Sequence, residues 1–179
     1  MKKNILLLGL IAAIIAVIII KSDFQTVSEH NELQTQSVKE NSKTVFISIN
    51  YETVLDNLEA LDEDVAKQID LTNGKLLKKT EYVINDKDTV FDVLQRAAKD
   101  YNIQLEYEGA SDSPFGSAYI EGINYLYEFS CGVLSGWMYK VNGEFANYGC
   151  SKYVLKDKDV IEWVYTCNLG EDVGAEFEK

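Results

Sequence analysis

The chain has 179 residues, 46% of them hydrophobic, and its 17 basic residues stand against 29 acidic ones for a net charge of −12. That is room for one ordinary globular domain with appendages, not for a multidomain machine. With Lys2, Lys3 and Lys21 set aside, 14 basic residues face the same 29 acids, a net of −15, so the remainder repels polyanions and no nucleic-acid partner is expected. The single histidine, His30, removes most triad, proton-shuttle and metal chemistry, and no metal site is expected. Three cysteines are too few for a disulfide scaffold but enough for one bridge and one leftover thiol.

Residues 1–21 read as a membrane anchor or signal segment. Lys2 and Lys3 precede an uncharged, largely apolar run from Ile5 to Ile20, closed by Lys21. At the α-helical rise this run spans roughly 24 Å, slightly short of a hydrocarbon core, and lysines snorkelling at both ends cover the difference. A cleaved signal would end in small residues, whereas this run ends Ile-Ile-Ile-Lys-Ser-Asp, so the retained anchor is the first reading and a secreted, cleaved form the second. In either case the acidic remainder is expected on the extracytoplasmic side. Residues 22–42 are polar and aperiodic, a flexible tether that contains His30.

The folded domain is expected over 43–174, with a short acidic tail at 175–179. Thr44 to Tyr51 alternates, placing Val45, Ile47, Ile49 and Tyr51 on one side of a strand. Leu55, Leu58, Leu61 and Val65 fit a helical stripe, so a short helix is predicted within Val54–Ile69. Leu76 to Ile84 is a second strand, and Asn85-Asp86-Lys87-Asp88 a turn. Val90, Phe91, Val93, Leu94, Ala97, Ala98 and Tyr101 then recur at helical spacing, behind Thr89 and Asp92 in the pattern of a capping box. The acids of this turn and helix start lack the spacing of a calcium loop.

Beyond the helix the chain turns aromatic: 15 of its 20 Phe, Trp and Tyr residues lie between Tyr101 and Lys179. Strands are predicted at Ile103–Tyr107, Ala118–Ile120, Tyr125–Phe129, Trp137–Val141 and Val160–Cys167. Asn142-Gly143 supplies the positive φ angles of a tight hairpin. Strands, one main helix and then more strands predict an α+β domain, with the helix packed on one face of a mixed sheet.

The blocks GWMYKVNG (Gly136–Gly143) and NYGCSKYVLKDKDVIEWVY (Asn147–Tyr165) resemble the C-terminal domain of the cobalamin carriers transcobalamin and intrinsic factor. With AYIEGINYLYEFSCG (Ala118–Gly132) and TVFDVLQRA (Thr89–Ala97), the chain more closely resembles bacterial exported proteins of unassigned function built on that domain. The resemblance implies a β-grasp-like fold in which the first and last strands are adjacent and parallel. It also implies a binding role: in the carriers this domain closes over a corrinoid, held largely by shape and apolar contact. A cobalamin-like corrinoid or another bulky cofactor is therefore the expected ligand, no cofactor is required, and a membrane transporter or a surface protein is the expected partner.

The departures matter. The carriers' large helical domain has no counterpart in a chain this short, and His30 does not take the place of its axial histidine. The hairpin tip of the relatives usually reads Asn-Gly-Trp-Phe-Pro, where this chain has Asn142, Gly143, Glu144, Phe145 and Ala146. Relatives often carry Cys at the position of Tyr51, where the implied strand order would let it reach Cys167. That leaves Cys131 and Cys150 as the implied disulfide here, with Cys167 a free thiol. A bridge closing about 20 residues contributes roughly 3 kcal/mol.

Alternation places Trp163 with Tyr165, and Trp137 with Tyr139, on faces expected to be interior. The aromatic residues near predicted strand ends, Tyr119, Tyr125, Phe145, Tyr148 and Tyr153, together with Trp137 of the hairpin, are the candidate ligand-binding set, since a rigid scaffold commonly presents binding residues on its loops. No nucleophile elbow, P-loop, dinucleotide fingerprint, zinc-protease motif or C-x-x-C is present, so no catalysis is expected. The two functional expectations are a tethered, noncatalytic ligand-binding module and a surface domain that docks another protein through exposed aromatic rings.

Overall fold

A computed structural model of the protein describes Ser42–Glu176. The expected anchor, nearly all of the tether and the end of the acidic tail lie outside the described residues. Among the described residues no helix is long and apolar enough to cross a membrane.

Strand β1 (Thr44–Asn50) follows the predicted alternation, and Val45, Ile47 and Ile49 are fully buried. The single helix expected over Val54–Ile69 is instead two one-turn helices, α1 (Glu52–Leu55) and α2 (Glu63–Ala66), separated by a 3-10 turn at Leu58–Ala60. The stripe breaks for a local reason. Leu61 is extended, at ψ 133°, and bridges Cys131. Asp62 then starts a new helix, its carboxylate accepting the N–H groups of Asp64 and Val65 at 2.8 and 3.1 Å.

After β2 (Lys75–Val83), the main helix α3 (Val90–Asp100) begins at the predicted capping box. Thr89 Oγ1 accepts the Asp92 N–H at 3.3 Å, and Asp92 Oδ2 accepts the Thr89 N–H at 2.8 Å. Its apolar stripe, Val90, Val93, Leu94 and Ala97, shares one core with Val45, Ile47, Ile161 and Trp163. Fully burying an aliphatic side chain of this kind contributes about 1.5–3 kcal/mol.

The remaining strands are β3 (Leu105–Glu108), β4 (Tyr119–Ile123), β5 (Leu126–Tyr127), β6 (Gly136–Val141), β7 (Glu144–Phe145) and β8 (Val160–Thr166). They do not all join one sheet, as the sequence led us to expect. Five strands form a mixed sheet in the order β2-β1-β8-β6-β7, while β3-β4-β5 form a separate antiparallel sheet. The loop between β5 and β6 divides them: Phe129 and Gly132 take left-handed backbones, and the Phe129 N–H closes the loop on Ser135 O at 3.0 Å. In the larger sheet β1 and β8 are adjacent and parallel, from Phe46 opposite Val160 to Asn50 opposite Val164. The architecture is thus mixed α+β. At the β6–β7 turn Asn142 and Gly143 have φ of 56° and 85°, the left-handed pair a two-residue hairpin needs.

The interior is divided into two apolar clusters. The first lies where α3 covers the sheet. The second gathers Tyr51, Val54, Leu61, Ile69, Leu126, Cys131 and Tyr165, covered by the α1–α2 segment and the β5–β6 loop. This division corrects the cysteine expectation, because Cys131 and Cys150 are not bridged and all three cysteines are free thiols. Cys150 belongs to the first cluster, with its thiol 3.5 Å from Ala118 O, and its carbonyl accepts the Phe91 N–H at the start of α3. Cys131 belongs to the second, where its N–H donates to Ser135 Oγ at 3.0 Å. Flanking one hairpin in sequence did not put the two in one cluster.

Candidate functional site

Two exposed rings, Phe115 and Tyr148, are carried by two loops that meet, Gly109–Ala118 before β4 and Ala146–Tyr153 after β7. Ser117 and Ser151 join them, with hydroxyl oxygens 2.8 Å apart, and Ser151 Oγ also accepts the Ala118 N–H at 2.9 Å. The Ser117 side chain packs so closely on the Gly149 backbone that a Cβ on Gly149 would lie 2.0 Å from Ser117 Oγ and 2.3 Å from its Cβ, so glycine is required there. The second loop is in turn held by the helix. Carbonyls of Cys150 and Tyr153 accept the N–H groups of Phe91 and Val90 at 3.2 and 3.1 Å, satisfying donors that α3 leaves free at its first turn.

On either side of this seam stands a pair of rings. Phe115 and Tyr119 have centroids 5.7 Å apart, and Phe115 is 67% exposed. Tyr148 and Tyr153 stack at 5.3 Å with planes 13° apart, and Tyr148 is 53% exposed. The stack is anchored from beneath: Tyr139 packs edge-on against Tyr153 and donates its hydroxyl to Tyr148 O at 2.6 Å. Tyr119 donates its hydroxyl to Glu128, and burial together with that carboxylate pushes its phenol up to about 12. It therefore remains a neutral donor at ordinary pH. Lys152 reaches across the seam to Phe115 O at 3.3 Å. Two edges of aromatic surface with hydroxyl tips, on loops tied to a helix and to each other, suit the capture of a flat, partly apolar molecule or a protein surface.

The six expected ligand residues therefore separate. Tyr148 and Tyr153 stack on the loop after β7, and Tyr119 pairs with Phe115 beside the loop that Ser117 and Ser151 join to it. Phe145 lies on the β6–β7 hairpin, where its ring receives Lys140 Nζ at 4.6 Å. Tyr125 occupies the β4–β5 turn in a left-handed backbone, lining a shallow depression of about 450 Å³ with Gln95, Lys99 and Gln104. Trp137 turns inward: its ring packs edge-on against Tyr165 at 5.3 Å, and its indole N–H donates to Leu126 O at 2.7 Å. Sequence reasoning passed over Phe115, although an aromatic residue inside Ser-Asp-Ser-Pro-Phe-Gly-Ser, a run of turn formers, is a legible signal of a presented ring.

A second accessible apolar group was also missed. Phe129, Val133, Leu134 and Leu169 are 62%, 82%, 42% and 58% exposed. They share a backbone neighbourhood, because the Leu169 N–H donates to Leu134 O at 2.9 Å and the Phe129 N–H to Ser135 O. Phe129 and Leu169 have φ of 64° and 49°. Bulky residues rarely hold that conformation, and nothing in a one-dimensional sequence marks it.

Among the described residues no group of three His, Cys, Asp or Glu side chains is placed to hold a metal ion.

Residues 87–167 match the family model described as a domain of unknown function, DUF4430. That span runs from the turn before α3 to one residue past β8 and contains the four sequence blocks that carry the resemblance. No curated protein matches the chain. Two solved structures are similar at low identity. One is haptocorrin in complex with Cbi, at a TM-score of 0.47 and 14% identity, covering 73% of this chain and 26% of haptocorrin. The other is a conjectural metal-binding protein from Ruminococcus gnavus, at a TM-score of 0.45 and 12% identity, covering 69% of this chain and 96% of that one. This chain spans about a quarter of the haptocorrin chain. The matched region is thus similar to a domain family without an assigned function.

Proposed function

We propose that the domain is a noncatalytic binding module of β-grasp-like form, held outside the cell by the apolar run Ile5–Ile20 or released there after its cleavage. Its recognition surface is the ring-bearing seam of Phe115, Tyr119, Tyr148 and Tyr153. The ligand class is a bulky, flat, partly apolar molecule; a cobalamin-like corrinoid is the case implied by the resemblance of Gly136–Tyr165 to the cobalamin carriers. Passing the ligand to a membrane transporter would give such a tethered module its use. The observation that carries this reading is the Tyr148–Tyr153 stack, accessible at its outer ring yet fixed underneath by Tyr139. Rings already held in place lose little side-chain entropy on contact.

One face of a large ligand offers limited area, and association entropy consumes several kcal/mol of the gain, so the expected affinity is about micromolar or weaker. Titrating the full chain in detergent micelles with cobalamin and cobinamide, followed by heat and by tryptophan fluorescence, tests it. Saturable binding that Tyr148→Ala and Phe115→Ala weaken supports the proposal. Absence of any response at roughly millimolar ligand overturns the small-ligand form of it. A second reading, docking of a protein surface, is favoured by Phe129 and Leu169, whose left-handed backbones hold apolar side chains outward at an energetic cost. Binding of cobinamide undiminished by ring removal at the seam would shift attention to that group.

A further inference from the structure

Cys131 does not meet Cys150, but it shares its cluster with another cysteine. Cys167 follows β8 by one residue and packs against the second apolar cluster, to which Cys131 belongs. Several independent contacts bring the two to one place. The β6–β8 pairing ends with Gly136 opposite Thr166, so Ser135 and Cys167 come next along the two strands. The Ser135 hydroxyl accepts the Cys131 N–H at 3.0 Å and lies 2.9 Å from the hydroxyl of Tyr165. The α1 segment covers both cysteines. The Cys131 thiol donates to Asn57 O at 3.4 Å, and Thr53 Oγ1 donates to Tyr165 O at 2.5 Å, two residues before Cys167. Each thiol also raises or lowers the acidity of the other, as only near neighbours do; burial is the larger cause in both and holds both thiols above their usual range.

We propose that Cys131 and Cys167 form a redox pair, closing to an intrachain disulfide on exchange with a small-molecule or protein disulfide. Cys167 is the half-buried member and Cys131 is 1% exposed, so exchange starts at Cys167. Its thiolate attacks one sulfur of the oxidant, forming a mixed disulfide and expelling one thiolate. The Cys131 thiolate then attacks Cys167 Sγ and expels the other. The protein sulfurs are oxidised by two electrons, the oxidant leaves as two thiols, and the two cysteine protons pass to them. Cys150, in the other cluster with its thiol pushed up to about 12 by burial, takes no part. The bond joins the turn after β8 to the loop that carries Phe129, Val133 and Leu134, and so fixes that loop covalently. This inference does not rest on the ligand-binding reading.

The test uses the full chain in detergent micelles, incubated with oxidised glutathione, alkylated under denaturant and digested with trypsin. Cleavage after Lys99, Lys140, Lys152 and Lys158 places each of the three cysteines on its own peptide. The expected product is the 100–140 peptide linked to the 159–179 peptide, with alkylation confined to Cys150 and an intact mass lower by about 2 Da before alkylation. The thermal midpoint should rise by several degrees, reversed by dithiothreitol. Cys167→Ser should lose the link and the shift, and Cys150→Ser should keep both. Alkylation of all three cysteines, a link from Cys131 to Cys150, or glutathione retained on Cys167 would each overturn the proposal. The peptide map of the unsubstituted chain decides the matter even if a variant folds poorly.

Discussion

The two apolar clusters are built by different means. The first is closed by α3, whose start is set by residues three apart in sequence and whose stripe is set by helical period. The second has no such element above it. It is closed by one-turn helices and loops, and its order depends on side-chain hydrogen bonds between segments far apart in the chain, such as the Tyr165 hydroxyl on Tyr127 O at 2.6 Å and the Thr53 hydroxyl on Tyr165 O. Local signals fix the helix that closes the first cluster, whereas the segments that close the second need their tertiary partners to be correct at once. The accessible rings follow the same division: the seam leans on α3, and the Phe129–Leu134 loop leans on the second cluster.

Substitutions in each cluster put this contrast at risk. The largest effect is expected for Trp163→Ala, which empties the centre of the first cluster and should lower unfolding free energy in urea by about 3–5 kcal/mol. Part of that loss will be offset, because the indole N–H is buried without a hydrogen-bond partner among the described residues. Tyr165→Phe should cost about 1–3 kcal/mol by leaving Tyr127 O without this donor. Its mark should be faster hydrogen exchange in Phe129–Ser135 with α3 unaffected. Equal acceleration in both regions would mean that the two clusters are one cooperative unit.

The alkaline limb of stability tests the first cluster in another way. Burial moves the Cys150 thiol from its ordinary value of 9.0 up to about 12, so the folded chain keeps this proton where the unfolded chain loses it. This contribution is whole below pH 9 and falls as pH rises toward 12, at about 1.4 kcal/mol per pH unit. Cys150→Ala should flatten the slope by that amount whatever it does to the neutral-pH value, and an unchanged slope would refute the assignment. Thr89→Ala should cost about 1 kcal/mol, with exchange quickened in the first turn of α3. Smallest in stability is Tyr148→Ala, within about 0.5 kcal/mol, because the bond that Tyr139 makes is to the Tyr148 carbonyl and survives. If ring capture is the function, this variant should still lose most of the corrinoid heat signal.

What could be read from the sequence follows the same line. Alternation in Thr44–Tyr51, the Thr89–Asp92 cap and the Asn142-Gly143 turn are signals between near neighbours, and each appears where its spacing put it. The stripe from Leu55 to Val65 was misleading because Leu61 is claimed by Cys131, a partner 70 residues away. The separation of β3-β4-β5 from the main sheet is also tertiary, since each strand looks the same in sequence whichever sheet it joins. At the seam, Tyr148 and Tyr153 were found by their position near strand ends. Trp137 was kept in the set as a hairpin residue although its face was expected to be interior, and its indole N–H is indeed satisfied inside by Leu126 O. The disulfide expectation failed for want of the Ser135 hydroxyl, whose hold on Cys131 no spacing rule contains.

The parallel pairing of β1 with β8 has a consequence for how the molecule comes into being. During synthesis β1 can zip to β2 early, but its other edge must wait for about 110 further residues before its partner emerges. An open edge of alternating apolar residues is sticky, and the delay sets a window in which a growing chain can pair with a neighbour instead of itself. Crowded nascent chains, rather than the finished fold, are therefore where loss of β8 pairing should first show, as aggregation during production.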